Sequence, residues 1–340
     1  MDVDLAARTA ARLAPAGPRL GLAEAADVVH ELRDVTEQAE EHVRAVTGLH
    51  GQVGPATVVD RPGWARANAE GFEVLLEPLT EALAARQNRA SAAVTSKVTA
   101  VQMGTLLSWL SSKVLGQYEA FQPAGQAGRL LLVAPNIVEV ERRLEVNPHD
   151  FRLWVALHEV THRTQFTAVP WLHDHVRGEV RALLKASSLD DPQALLDRLR
   201  GVRLGGSLAE MLQTPEQKQV MDRVTAFMSL LEGHAEHVMD GVGPSVVPSV
   251  EHIRERFDAR RRARGGPFDR LLRRLLGLDL KAKQYAEGSA FVGTVVGEVG
   301  MAGLNKVWTS PAELPTREEI LTPRDWVARV HGTAATAATP

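Results

Sequence analysis

The residues best suited to chemistry fall in one short run, Leu153-Trp154-Val155-Ala156-Leu157-His158-Glu159-Val160-Thr161-His162. Histidines at i and i+4 of a helix project about 40° apart around the axis, one turn above the other, so both imidazoles reach a single metal ion. The glutamate between them then sits beside an open coordination position, where it takes a proton from water. Apart from Arg152, residues 151–157 are apolar, which predicts a helix already buried as it enters the motif. Charged and polar side chains in such a place need partners.

A hydrolytic zinc site takes three protein ligands and one water, so a third ligand is required. A continuation of the form His-x-x-Gly-x-x-His would need Gly at 165 and His at 168; the chain has Gln165 and Ala168. His173 and His175 are near in sequence, but they follow Pro170 and read as a surface turn. Glu232 is the better candidate. It lies in Leu230-Leu231-Glu232-Gly233-His234-Ala235-Glu236-His237 and shares a helical face with Met228, Ala235 and Met239. A carboxylate on that face is costly unless it is paired or coordinates a cation. Glu236, one turn on, is placed to accept the second N–H of a ligating histidine and fix its tautomer. His234 has two open roles, as a ligand in place of Glu232 or as a hydrogen-bond partner of substrate.

His158-Glu159-x-x-His162 followed by Glu232-Gly233-His234-Ala235 resembles the gluzincin arrangement, in which a glutamate on a second helix completes the zinc site. The resemblance has departures. Sixty-nine residues separate His162 from Glu232, Leu231 stands where an Asn is usual, and Arg163 follows the second histidine where zinc peptidases carry an uncharged residue. A third segment, Gln284-Tyr285-Ala286-Glu287-Gly288-Ser289-Ala290-Phe291-Val292, is similar to a Tyr-x-x-Gly-x-x-Phe-Val helix of several gluzincins. That likeness implies a role for Tyr285 in polarising the scissile carbonyl. More closely, residues 153–170, 230–248 and 284–308 resemble an actinobacterial zincin-like family. Its members are named zinc-dependent metalloproteases or described as associated with deazaflavin coenzyme biosynthesis. The resemblance implies Zn²⁺ as cofactor and a zincin-like core.

The elements that must position these residues are mostly helices. Apolar residues recur at helical spacing over 22–49, 64–86, 91–115, 151–166 and 215–240, with a helical hairpin over 174–200. Residues 1–20 read as loosely ordered, and 116–128 as a turn-rich connection. Extended structure is expected in the brief Thr57-Val58-Val59 and in 129–140, with Pro135 making an edge or a bend. Gly293, Gly297, Gly300 and Gly303 recur at a spacing that suits close helix packing. The predicted class is mainly α with a small β element (α+β). The expected division is an N-terminal helical region over 1–100, a zincin-like metallohydrolase domain over 101–330 and a disordered tail over 331–340.

Composition narrows the function further. Lys+Arg 39 against Asp+Glu 42 gives a net charge of −3, which argues against a general nucleic-acid binder. Aromatic residues are 5% of the chain, so base-stacking platforms are not expected. Arg254 to Arg274 holds nine arginines, but interleaved acids favour a solvated helix end. With no cysteine there is no disulfide, thiolate metal site or cysteine nucleophile. No apolar run approaches the ~20 residues of a membrane helix, and the N-terminus does not read as a signal peptide. The sequence therefore predicts a cytoplasmic zinc metallohydrolase acting on a peptide or protein, with His158, His162 and Glu232 as ligands and Glu159 as general base. The rival from another class is a non-catalytic zinc- or partner-binding protein on a zincin-like scaffold.

Overall fold

The computed structural model describes residues 2–84, 89–122, 128–186, 214–262 and 278–332. Its centre is a three-stranded sheet of β1 (Thr57–Val59), β2 (Gly116–Glu119) and β3 (Arg129–Val133), in the order β1-β3-β2. β3 runs parallel to β1, pairing Val58 with Leu132, and antiparallel to β2, pairing Gln117 with Leu131. Its alternate side chains enter different cores. Leu130 and Leu132 join the cluster containing Phe151, Trp154 and Leu157, whereas Leu131 and Val133 join Trp64, Ala65 and Leu107. Burial on both faces explains why this strand is an unbroken apolar run rather than an alternating one.

The structure corrects the reading of 134–140. Asn136 to Val140 belong to helix α5 (Ala134–Leu144), with Pro135 in its first turn, where a missing N–H costs nothing. Pro135 therefore starts a helix instead of ending a strand. Asn136 is buried; it donates to the carbonyls of Ser111 and Val114 and accepts from Arg61. The stretch read as turn-rich contains β2, too short and too polar to announce itself. Residues 1–20 contain a helix, α1 (Val3–Leu13), capped by Asp2.

Among the described residues the remaining helices are α2 (Leu22–Thr47), α3 (Arg61–Ala84), α4 (Arg89–Ser111), α6 (Pro148–Ala168), α7 (Leu172–Ala186), α8 (Pro215–Val242), α9 (Val250–Arg262), α10 (Leu278–Leu304), α11 (Arg317–Leu321) and α12 (Pro323–His331). Much of the predicted hairpin over 174–200, the arginines beyond 262 in the run to Arg274 and the tail from 333 lie outside the described residues. The described arginines at 254 and 256 pair with Glu236, Asp240 and Glu145. No described helix is long and apolar enough to cross a membrane. The boundary expected near residue 100 does not separate the contacts. β1 is in the same sheet as β3, and Leu32, Val35 and Val43 of α2 share a core with Phe151 and Leu157 of α6.

Two helices carry the site. α6 begins at Asn147, whose side chain accepts from the Asp150 amide at 3.1 Å, with Pro148 in the first turn. α6 is buried over most of its circumference, since α2, the sheet and α8 cover it from different sides. α8 opens with a capping box in which Thr214 and Gln217 satisfy each other's backbone amides. α10 crosses α8 so closely that their backbones touch. A Cβ on Gly288 would lie 1.9 Å from the Ser229 carbonyl oxygen, and one on Gly233 would lie 2.2 Å from the Gly288 carbonyl carbon. Of the later glycines expected to allow close packing, Gly303 does so, with a built Cβ 3.3 Å from His331 of α12. Gly293 and Gly297 have nothing within 4 Å of a built Cβ, and Gly300 breaks the helix with φ 71°.

Candidate metal centre

His158 and His162 lie one turn apart on α6, and Glu232 approaches them from α8. The two Nε2 atoms are 3.1 Å apart, and each is 3.6 Å from Glu232 Oε2. A point equidistant from three atoms so spaced is about 2 Å from each, the length of a Zn–N or Zn–O bond. Two imidazole nitrogens at 3.1 Å also repel unless a proton or cation lies between them. The donors therefore suit a divalent cation, and among the described residues His158, His162 and Glu232 are the group assembled to hold one. Burial works to lower the pKa of His162, but Glu232, with help from Glu159, outweighs it and the net shift is upward. The pocket favours positive charge.

Among the described residues the set is three protein donors. The His158 and His162 side chains keep 22% and 17% of their accessible surface, while Glu232 keeps 8%. An ion held here would have a solvent-facing position, as catalytic zinc sites do and closed structural ones do not. Glu159 is itself buried. A Cβ on Gly116 would fall 2.6 Å from Glu159 Cγ and 3.0 Å from its Oε1. The glycine that opens β2 thus makes room for this carboxylate against the strand.

Gln165, another turn along α6 on the same face, orders the centre. Its Oε1 accepts from His162 Nδ1 at 2.9 Å, which leaves the Nε2 lone pair for a metal. Its Nε2 lies 3.0 Å from the Leu231 carbonyl and 2.9 Å from His234 Nδ1, tying α6 to α8 beside Glu232. Sequence reasoning had weighed Gln165 only as a missing glycine. The available signal was its position seven residues after His158, on the same helical face. Gln165→Ala should weaken zinc binding by roughly 10–100-fold, the usual effect of losing a group that orients a ligand. A competition titration against a zinc chelator measures this; an unchanged affinity would remove Gln165 from the account.

The other candidates separate. Glu236 meets Arg254 at 3.2 Å rather than a ligating histidine; the orienting group is Gln165. A helical turn beyond Glu232 points it toward α9. His234 is fully buried with Nδ1 on Gln165 and its ring 5.5 Å from Trp308, so it joins neither the metal triad nor an exposed substrate surface. Burial, then the charges of His237 and His162, lower its pKa to about 3, which keeps it neutral. Tyr285 falls on α10, but its side chain lies outside the described residues. His173 and His175 are on helix α7, not a turn; their rings meet Phe166 in one case and Trp171 and Phe227 in the other. Arg163 points away from the centre, to the Gly54 carbonyl and Glu40. Its charge is thus spent on holding α6 to α2, which explains how a cation is tolerated after the second histidine.

A helix carrying two histidines, a second helix contributing a carboxylate and a strand beside the glutamate form the arrangement of a zincin-type site. The chain belongs to the zincin-like metallopeptidase family, whose model matches residues 1–327. It is also similar to a solved protein from Chloroflexus aurantiacus, described as "a putative hydrolase with a novel fold". The two are 32% identical, with a TM-score of 0.69 over 97% of this chain and 99% of that one. No functionally curated protein matches.

Proposed function

We propose that the protein is a zinc-dependent peptidase that uses a water molecule as nucleophile. The observation that carries the reading is the triangle of His158 Nε2, His162 Nε2 and Glu232 Oε2 with a solvent-facing side. These three residues would hold the ion, and Gln165 would keep His162 in the ligating tautomer. When bound, zinc supplies Lewis acidity toward a carbonyl and brings the pKa of a water toward neutrality. Glu159 takes the proton of that water on its carboxylate and delivers it to the departing amine nitrogen. Its burial and its seat against Gly116 hold it in one place between the ligands.

Substrate is expected along β2. β3 offers no edge for an extended peptide, since both its edges are occupied. β2 is an outer strand, no described strand pairs with its far edge, and its first residue touches Glu159. An extended peptide added there gains main-chain hydrogen bonds while its carbonyl is brought to the centre. The test is digestion of a broad peptide library by zinc-loaded protein, before and after chelation. Cleavage that chelation abolishes and zinc restores is expected; cleavage of nothing, or cleavage indifferent to chelator, overturns the reading.

Within the site, Glu232→Ala should lose zinc while His173→Ala and His175→Ala retain it, since the α7 rings pack against aromatic groups instead of the triad. Metal analysis after dialysis decides this. Loss of zinc in an α7 variant together with its retention in Glu232→Ala would identify a different third ligand.

A further inference from the structure

Beside β2 lies a cavity of about 230 Å³. It is lined by Asn68, Gly71 and Phe72 of α3, by the consecutive residues 117–121, and by Phe166 of α6. α3 and α6 cover opposite faces of the strand: Gln117 bonds to Asn68, whereas Tyr118 packs on Phe166 with ring centroids 5.8 Å apart. A cavity that touches β2 from Gln117 to Glu119, the two residues that follow the strand, and helices on both its faces lies along the strand's open edge.

Its lining is unusual for this chain. Phe72, Tyr118, Phe121 and Phe166 are four of only ten Phe and Tyr residues in 340. The Gln117, Asn68 and Glu119 side chains of its wall are already engaged. Gln117 Oε1 accepts from Trp64 Nε1 at 2.8 Å, Gln117 Nε2 donates to Asn68 Oδ1 at 2.9 Å, and Asn68 Nδ2 donates to the Trp64 carbonyl at 3.0 Å. Glu119 is paired with Arg129. A polar guest would give up water for groups that are committed elsewhere, whereas an apolar guest gives up nothing. The volume is below the ~300–1,000 Å³ of pockets that enclose whole small-molecule ligands, so it suits one side chain.

Position relates the cavity to the metal centre. Phe166 is one helical turn beyond His162, and Gly116, which touches Glu159, is two residues before Tyr118, or about 7 Å along an extended strand. We propose that this cavity is a specificity pocket that receives one aromatic or large aliphatic side chain of an extended peptide, about two residues from the bond to be cleaved. The proposal rests on the peptidase reading for its geometry, but binding tests it independently of turnover.

The probes are acetylated, amidated alanine-based hexapeptides carrying a single Phe, Leu, Ser or Asp at each position in turn. Their affinities are measured by calorimetry for zinc-loaded protein carrying Glu159→Gln. A Phe or Leu at one position should tighten binding by about 10- to 100-fold over Ser, as expected for burying such a side chain, and Asp should give no gain. Adding Phe72→Ala should reduce that preference, and Phe72→Trp, which fills the cavity, should abolish it while weakening the alanine-only peptide far less. Circular dichroism melts establish that each variant is folded, and either of the two suffices. Equal affinity for the Phe, Leu, Ser and Asp peptides, binding of none, or a preference indifferent to both Phe72 variants overturns the pocket. The same peptides given to protein with Glu159 intact test cleavage separately. Apolar-selective binding without cleavage would defeat the peptidase reading and leave the pocket standing; cleavage without selectivity would do the reverse.

Discussion

Replacing Glu159 by glutamine should leave zinc content and melting temperature nearly unchanged while lowering peptidase activity by about 10²–10⁴-fold, the range that general-base catalysis contributes. The side chain is buried on α6 between the two histidines and lies against Gly116, and glutamine has almost the same shape. It is not one of the three donors whose atoms converge, so the ion has no reason to leave. What glutamine lacks is a group that can take up a proton. Steady-state rates on any cleaved library peptide, with metal analysis of the same sample, give both readouts. A variant with full zinc and undiminished rate would show that Glu159 is not the base.

The second large effect is structural. Gly288→Ala should destabilise the protein by about 3 kcal/mol, at the upper end for overpacking, because the added methyl meets backbone instead of a side chain that can turn away. Its nearest neighbour would be the Ser229 carbonyl oxygen at 1.9 Å. Relief requires α8 and α10 to separate, and Ser229 lies one turn before Glu232 and Gly233. Zinc affinity should therefore fall along with the melting temperature. Gly293→Ala is the matched control. It lies on the same helix with nothing within 4 Å of the new Cβ, and it should be neutral or stabilising by up to about 1 kcal/mol from helix propensity. Thermal denaturation compares the two; a Gly288→Ala protein that melts with the unsubstituted one would refute the close crossing as a determinant of stability.

These residues show what could be read from sequence. His158, Glu159 and His162 were legible because a helix fixes their relation locally, and α6 folds as that pattern requires. Glu232 was reachable by a second local argument, a carboxylate on an apolar helical face. The residues that depend on contacts distant in sequence were not. Gln165 gains its meaning only when α8 brings Leu231 and His234 within 3.0 Å of its amide. Gly116 looked like a turn residue, and only the packing of β2 on α6 reveals it as the space for Glu159. Glu236 failed as an orienting group because Arg254, on the next helix, was invisible to a reading confined to α8. The same limit applies to the strands. An apolar run marks β3, but the sheet order that closes its edges and leaves β2 outermost is a tertiary fact. Pro135 was misread for a more local reason, since proline ends strands and begins helices equally well.

The central claim is that His158, His162 and Glu232 hold one zinc ion, and its most direct test is metal content. Purified protein should carry about one zinc per chain by plasma mass spectrometry after dialysis, and the double variant His158→Ala/His162→Ala should carry almost none while remaining folded. Full zinc occupancy in that double variant would contradict the assignment of the site.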